Sequence, residues 1–105
     1  MATTGYLSRV RRSWLAPRAK VTSEAACRVC GSGVDLQSAH TIGRVHDPED
    51  GKVRSIDTVP LCIDHHLAYD AHRLDLLPYL TTAEQAAAVE HVGIVAALRR
   101  LTSTR

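Results

Sequence analysis

The amino-acid sequence predicts one small α+β domain, in which a two-stranded hairpin is followed by a helix and flanked by further helices. The chain has 105 residues, the usual length of a single domain. Two short β-rich segments are separated by a polar stretch with turn residues. Three cysteines and six histidines accompany only 4% aromatic residues. This composition indicates a small core reinforced by a metal ion.

Composition also excludes several classes of protein. Hydrophobic residues make up 45% of the chain and charged residues 23%, which excludes a disordered tail. No apolar run approaches the ~18–20 residues that span a bilayer, so no membrane association is predicted. The first residues lack the apolar core of a secretory signal. We therefore expect a cytoplasmic protein.

Residues 1–22 form a predicted basic N-terminal arm. This segment carries five bases and no acid, whereas the remaining chain has eight bases (13 minus 5) against eleven acids. Part of the arm is predicted to be a short helix that ends near Pro17. A basic arm on a near-neutral body indicates contact with a polyanion, most often nucleic acid. The predicted phosphate-binding side chains of the arm are Arg9, Arg11, Arg12, Arg18 and Lys20.

The hairpin is predicted from two β-rich segments. Residues 36–43 form the first strand and residues 56–62 the second, joined by turn chemistry over residues 44–55. Pro60 implies an edge or a strand end, because proline cannot donate a ladder hydrogen bond.

Two helices are predicted after the hairpin. The first covers residues 63–73, and Thr81 and Glu84 form a capping box that opens a second over residues 82–100. The predicted organisation is a basic arm over 1–22, a core over 23–78 and a C-terminal helix packing on the core over 79–105.

Cysteine spacing identifies a candidate metal centre. Cys27-x-x-Cys30 and Cys62-x-x-His65 together supply four sulfur or nitrogen ligands, the set that tetrahedral zinc requires. The alternative is that the cysteines are ordinary small buried side chains. The spacing, the odd number of cysteines and the adjacent glycines favour structural zinc. His66 competes with His65 for the fourth position.

His40 and His66 form a second candidate constellation. A metal that joins the two ligand pairs would pin the first strand to the helix, so these two histidines could converge. An imidazole is the side chain best suited to be a general base near neutral pH, as phosphodiester hydrolysis requires. The alternative is that His40 is a satisfied strand residue and His66 a surface residue.

The combined pattern resembles that of the HNH endonucleases. The matching segments read Cys27-Arg-Val-Cys30, Ala39-His40-Thr-Ile-Gly-Arg44 and Val-Pro-Leu-Cys62-Ile-Asp-His65-His66-Leu-Ala-Tyr-Asp70. The likeness covers about residues 25–75 and is greatest to small standalone HNH proteins of bacteriophages. It implies a ββα-metal fold with a structural zinc site and flanking helices.

The resemblance also implies roles for individual residues. His40 would activate water, and His66 would hold a catalytic divalent cation, Mg²⁺, Mn²⁺ or Ni²⁺, seconded by Asp57 or Asp70. That ion would stabilise the phosphorane and the leaving 3′ oxygen. The zinc would be closed to substrate. Arg44, near the strand histidine, could bind the scissile phosphate, and the alternative is that it is an ordinary exposed arginine.

Two positions depart from the family pattern. The residue before the strand histidine is often an aspartate or histidine that binds the metal, and here it is Ala39. The central asparagine of the family falls near Asp57, with Thr58 as the alternative register. Asp57 could serve as a loop hydrogen-bond acceptor or bind the catalytic ion.

The expected function is that of a metal-dependent endonuclease that nicks or cleaves DNA with low sequence specificity. One alternative is a non-catalytic zinc-stapled module that binds the DNA backbone, because Ala39 removes a usual ligand. Another is an accessory partner of a phage DNA-packaging terminase, with the C-terminal helix as docking surface. A phage-encoded protein would act in the host bacterial cytoplasm.

Overall fold

A computed structural model describes residues 13–43, 48 and 50–103 of the chain. The described residues form a small mixed α+β structure with a two-stranded antiparallel sheet, which confirms the predicted fold class at this level. Two short 3₁₀ helices, Ser55–Asp57 and Leu77–Tyr79, join the larger elements. These are, in chain order, α1 (Leu15–Glu24), β1 (Leu36–His40), β2 (Thr58–Cys62), α2 (Ile63–Asp70), α3 (Thr82–Val92) and α4 (Ile94–Leu101).

The predicted hairpin is present, with shorter strands than expected. β1 and β2 pair from Leu36 opposite Cys62 to His40 opposite Thr58. The residues before Thr58 form a 3₁₀ turn instead of strand. Pro60 faces away from β1, because its carbonyl accepts a hydrogen bond at 2.9 Å from the backbone N–H of Arg28. The N–H that proline lacks would point the same outward way, so its absence leaves the hairpin ladder intact.

The core lies between the sheet and the helices. All five residues of β2 are buried, including Val59 and Leu61, which are fully inaccessible to solvent. Small and aliphatic side chains complete the core, and Tyr69 is its one aromatic contribution among the described residues. Helices α3 and α4 contribute the buried residues Ala88, Ala97 and Leu101. The connecting segments contribute Ile42, Val53 and Leu76, which are at most 2% exposed.

The predicted helix ending near Pro17 is wrong, because α1 begins at Leu15 and continues to Glu24. Pro17 lies in the first turn, where a helix has no use for the missing N–H. α1 ends at Ala25, which adopts a left-handed conformation and donates its N–H to the carbonyl of Val21. The boundary placed at residue 22 therefore falls inside a helix that packs on the sheet.

The C-terminal helix is broken where the sequence predicts continuity. The capping box is confirmed, since the Glu84 N–H donates to Thr81 Oγ1 at 3.1 Å and the Thr81 N–H donates to Glu84 Oε1 at 2.8 Å. Gly93, with a φ of 84°, separates α3 from α4. Glycine takes this conformation at little steric cost, so the chain redirects there. α2 also ends three residues early, at Asp70.

Lys20 belongs to a buried ionic network that joins α1, β2 and α3. Its ammonium donates to the carboxylate of Glu84 at 2.6 Å and to the carbonyls of Ser55 and Thr58 at 2.8 and 2.6 Å. Arg28 donates to the same carboxylate at 2.7 Å. The predicted phosphate contact of Lys20 does not fit this geometry, because an ammonium has three hydrogens and all three are engaged.

Glu84→Gln is expected to destabilise the protein by about 3 kcal/mol at pH 7, because it leaves two cations beside a buried neutral group. Burial alone would raise the pKa of Glu84, but hydrogen bonds from Arg28 and Lys20 outweigh it and lower the pKa from 4.5 to about 2. A depressed pKa contributes stability that is present above the unfolded value and lost as pH falls through the folded value.

The stability difference between Glu84→Gln and the wild type should therefore narrow as pH falls from about 5 toward 2. Urea denaturation across this range measures it. Glu24→Gln is the matched control, since it removes only the more exposed partner of Arg28 and should cost under ~1 kcal/mol. A difference that is constant with pH would contradict the assigned network.

Within residues 13–43 and 50–103, no helix has both the length and the apolar character needed to cross a membrane.

Candidate metal centre and adjoining cleft

Four side chains from two separate turns meet at the predicted metal centre. Cys27 and Cys30 lie on the turn after α1, where the N–H of Gly31 donates to the carbonyl of Cys27 and closes the loop. Gly31 has a φ of 78°, a conformation that suits glycine at this point of the turn. Cys62 ends β2, and His65 follows in the first turn of α2.

The ligand atoms of this Cys3His group all lie within 4.8 Å of one another. The Sγ of Cys62 is 3.2 Å from Nδ1 of His65 and 3.9 Å from the Sγ of Cys30. Cys27 Sγ lies 3.7 Å from the same imidazole nitrogen. Zinc–sulfur bonds of ~2.3 Å and zinc–nitrogen bonds of ~2.0 Å give tetrahedral ligand separations of roughly 3.4–3.8 Å. The group can therefore hold a structural metal such as zinc.

The thiols of the centre differ in acidity. Burial raises the pKa of Cys27, but backbone hydrogen bonds from Cys62, Cys30 and Val29 outweigh it and lower the value to about 6. A backbone hydrogen bond from Ser32 lowers the pKa of Cys30, yet its neighbouring thiols raise it overall. The first thiolate therefore forms readily, and its negative charge disfavours ionisation of a second thiol. A bound divalent cation would relieve this repulsion.

A cleft of about 280 Å³ lies beside the metal centre. α2 links the two, because His65 belongs to the metal centre and the next residue, His66, lines the cleft. His40, at the end of β1, lines the same cleft. The structure thus brings the two candidate histidines together. The lining residues are Ser38, His40, His66, Asp70 and Arg100.

His66 is oriented by one neighbour and faces another. Its Nδ1 lies 2.6 Å from Oε1 of Gln37, which can only accept, so this nitrogen carries the proton. Nε2 lies 3.6 Å from a carboxylate oxygen of Asp70, one helical turn later on α2. An imidazole nitrogen and a carboxylate are ligand types that bind divalent cations.

Trp14 and Tyr69 both contact His40. Its ring packs edge-on against Trp14, with the centroids 5.2 Å apart and the planes at 81°. Its carbonyl accepts a 2.8 Å hydrogen bond from the hydroxyl of Tyr69. Burial raises the pKa of Tyr69 to about 12, so this hydroxyl keeps its proton and remains a donor near neutral pH. His40 itself is only 6% exposed, and Ala39 before it is fully buried and offers no ligand.

Asp57 is not placed to bind a catalytic ion. Its side chain is inaccessible to solvent, and its two carboxylate oxygens accept hydrogen bonds from Arg54 at 2.7 and 2.9 Å. Its backbone carbonyl accepts from the N–H of Thr41 at 2.8 Å and so continues the pairing of the two strands beyond His40 and Thr58, toward the connecting segment. The geometry fits the alternative interpretation of Asp57 as a loop acceptor, because a metal ion would first have to displace Arg54.

A second, wider groove of about 490 Å³ runs between α1 and β1 and shares Ser38 with the cleft. Arg18 is exposed on its wall, beside Trp14 and Gln37. This is the one predicted DNA-binding residue that the described part of the chain leaves open to solvent. The others, Arg9, Arg11, Arg12 and Arg44, lie outside the described residues.

Two residues of the site escape sequence reasoning. Gln37 has no motif to mark it, and only the hairpin register and the docking of α2 bring it to His66. In the sequence Arg100 has the features of an ordinary basic residue in the last turn of a helix. In the fold it lies at the cleft, beside residues that are distant in the sequence. Neither residue lies within the segments that resemble the HNH pattern.

Comparison with known proteins adds no assignment. No protein-family model, no curated protein and no solved structure matches this chain. The class that the described residues define is a small α+β protein with a Cys3His group fit for a structural metal and a histidine-lined cleft next to it.

Proposed function

We propose that this protein is a metal-dependent endonuclease of the HNH type, which hydrolyses phosphodiester bonds of DNA with low sequence specificity. The single observation that carries the proposal is the shared cleft of His40, His66 and Asp70, placed beside the Cys3His group. The likeness of the Cys, His and Val-Pro-Leu-Cys segments to the HNH pattern supports the same assignment.

In this proposal His40 is the general base. It takes a proton from a water molecule whose oxygen attacks phosphorus, while the bond from phosphorus to the 3′ oxygen breaks. The hydrogen bond from Tyr69 to its carbonyl and the contact with Trp14 fix where the imidazole stands. A general base of this kind contributes about 10²–10⁴-fold to the rate.

His66 and Asp70 are the proposed ligands of the catalytic cation. Gln37 contacts Nδ1 of His66, so that Nε2, which faces Asp70, is the nitrogen proposed to bind the metal. Mg²⁺, Mn²⁺ or Ni²⁺ bound there would supply positive charge for the leaving 3′ oxygen. Zinc at the Cys3His group would have four protein ligands and hence a structural role.

The test is cleavage of supercoiled plasmid DNA by zinc-loaded protein, with Mg²⁺, Mn²⁺ or Ni²⁺ and without added cation. We expect nicked or linear product that depends on the cation and disappears with EDTA. DNA binding without cleavage in the presence of every cation would contradict the proposed enzymatic activity and favour the non-catalytic DNA-binding module. A zinc-loaded His66→Ala protein, assayed in parallel, excludes a contaminating nuclease if it is inactive.

DNA contact is proposed for Arg18 and for the basic residues that precede the described chain. Each phosphate contact contributes about −0.9 to the slope of log affinity against log salt for duplex DNA. Arg18→Ala should reduce the magnitude of the slope by about one, and removal of residues 1–12 should reduce it further. Affinity should weaken alike for unrelated duplex sequences. A slope that neither change alters would contradict the proposed contacts.

One observation favours a second candidate, that of an accessory partner in phage DNA packaging. α4 exposes three aliphatic side chains, Ile94, Val95 and Leu98, at 61%, 61% and 43% of their surface. Exposed apolar clusters mark protein–protein contact sites. Co-purification with the subunits of a packaging terminase tests this role, and Ile94→Asp should abolish it while leaving DNA cleavage unchanged.

A further inference from the structure

Arg100 is delivered to the cleft by an element outside the hairpin and α2. Arg100 belongs to the last turn of α4, and the next residue, Leu101, is buried with 1% of its surface exposed. The carbonyl of Leu101 accepts a 2.8 Å hydrogen bond from the N–H of Leu76, which anchors the end of this helix. Arg100 therefore lines the cleft from a helix end that this hydrogen bond holds in place.

The guanidinium of Arg100 is held but not neutralised. It lies over the ring of Tyr69, 5.3 Å from the centroid, and one Nη donates a long 3.4 Å hydrogen bond to the carbonyl of His40. Its Nε is buried and has no hydrogen-bond partner among the residues that the structure describes. Within the same residues no carboxylate forms an ion pair with it. An arginine has five N–H donors, so most of its donor capacity remains unused.

A buried donor without a partner, such as Nε of Arg100, is costly unless a ligand satisfies it. The neighbours identify the ligand that would do so. Arg100 shares the cleft with His40 and with the His66–Asp70 pair, and its charge is delocalised over a planar fork that matches phosphate oxygens. A carboxylate ligand would be repelled by Asp70, whereas a cation bound to Asp70 and His66 would attract a phosphate to the same place.

We infer that Arg100 is a catalytic residue that binds a non-bridging oxygen of the phosphodiester in this cleft. The inference rests on the proposed nuclease function and extends it, since it assigns the C-terminal helix α4 to the active site. Arg100 forms no bond and transfers no proton. It neutralises the negative charge that builds on the equatorial oxygens as water attacks phosphorus, and removal of one such donor typically costs about 10²–10³-fold in rate.

Arg100→Ala is compared with Arg99→Ala, which removes the same charge from the exposed neighbouring position. We expect Arg100→Ala to lower kcat on plasmid DNA by about 10²–10³-fold. Arg99→Ala should stay within about twofold of the wild type. Arg100→Lys should recover only part of the loss, because an ammonium lacks the planar fork. Added guanidinium ion should partly restore Arg100→Ala and leave Arg99→Ala unchanged.

A second measurement separates binding from structure. Inorganic phosphate, titrated into the zinc-loaded protein in the presence of Mg²⁺, should shift the imidazole NMR signals of the wild type and Arg99→Ala, and not those of Arg100→Ala. The inference is wrong if both Arg100 variants lose activity, guanidinium does not restore it and their melting temperatures fall. That result would show that the contact of Arg100 with Tyr69 has a structural role only. Equal phosphate binding in all variants would overturn the inference as well.

The two proposals fail in different ways. If no cation supports cleavage by the wild type but phosphate still binds through Arg100, the proposed nuclease function is wrong and the phosphate-binding site at Arg100 is retained. If the wild type cleaves DNA and Arg100→Ala cleaves it equally well, the nuclease stands and the role of Arg100 is wrong.

Discussion

Cys62→Ser is expected to abolish the folded state of this protein at 25 °C. Cys62 ends β2 and is the N-cap of α2, and its sulfur lies 3.2 Å from Nδ1 of His65 and 3.9 Å from the Sγ of Cys30, so it contacts both ligand pairs of the metal centre. Binding of structural zinc contributes on the order of 10 kcal/mol in small metal domains, which equals the whole net stability of a typical domain. The expected result is loss of zinc, loss of helical circular dichroism and no cooperative thermal transition.

A matched pair of histidine variants tests the assignment more finely. His65→Ala should lose zinc and unfold, whereas His66→Ala should retain one zinc per chain and the wild-type melting temperature, because only His65 belongs to the Cys3His group. Elemental analysis and circular dichroism on protein purified without added metal measure both. Wild-type protein that keeps its full stability after complete chelation of zinc would contradict a structural metal. Zinc loss from His66→Ala alone would reverse the ligand assignment.

The ligand set could be predicted from sequence because each half of it is local. Cys27 and Cys30 are separated by two residues on a tight turn, so their side chains can reach one point. The same holds for Cys62 and His65 at a strand-to-helix junction. The hairpin and the capping box of α3 are likewise written in neighbouring residues. Such features depend little on the rest of the fold, which is why the small α+β class followed from them.

The remaining features depend on which surfaces meet in three dimensions. In the sequence Lys20 has the features of a solvent-exposed base in a charged arm. Only the packing of α1 against β2 and α3 shows that it forms an ion pair with Glu84. Gly93 interrupts a continuous helical pattern through its own backbone freedom. Asp57 resembles a metal ligand until Arg54, three residues earlier, is seen to occupy both of its oxygens. Glu84 lies 64 residues from Lys20, and a partner at that distance leaves no periodic trace in the sequence.

Ala39 bears on whether the cleft can hold a cation at all. It is fully buried at the end of β1 and supplies no ligand, so the proposed cation has two protein donors, from His66 and Asp70. Mg²⁺ commonly binds through one or two carboxylates with water and phosphate oxygens completing its shell. An ion held by two protein groups is therefore expected to bind weakly without DNA and more tightly with it.

His40→Ala is expected to lower DNA cleavage by about 10²–10⁴-fold while zinc content, helicity and DNA affinity stay near those of the wild type. His40 is proposed to take the proton of the attacking water, and the hydroxyl of Tyr69 holds its backbone carbonyl, a contact that the alanine variant retains. The variant does lose the ring contact with Trp14, so its melting temperature is measured beside its activity. Single-turnover cleavage of plasmid DNA at saturating protein separates the chemical step from binding.

His66→Ala should be equally inactive for a different reason, because it removes a ligand of the catalytic cation and not a base. Raising the Mn²⁺ concentration should then partly restore His66→Ala, since Asp70 remains, and should leave His40→Ala inactive. Added imidazole should restore His40→Ala in part. Equal rescue of both variants by Mn²⁺ would show that His40 is a metal ligand that compensates for Ala39. Full activity of His40→Ala would exclude the HNH mechanism, and the zinc-stapled DNA-binding module would be the remaining explanation of the cleft.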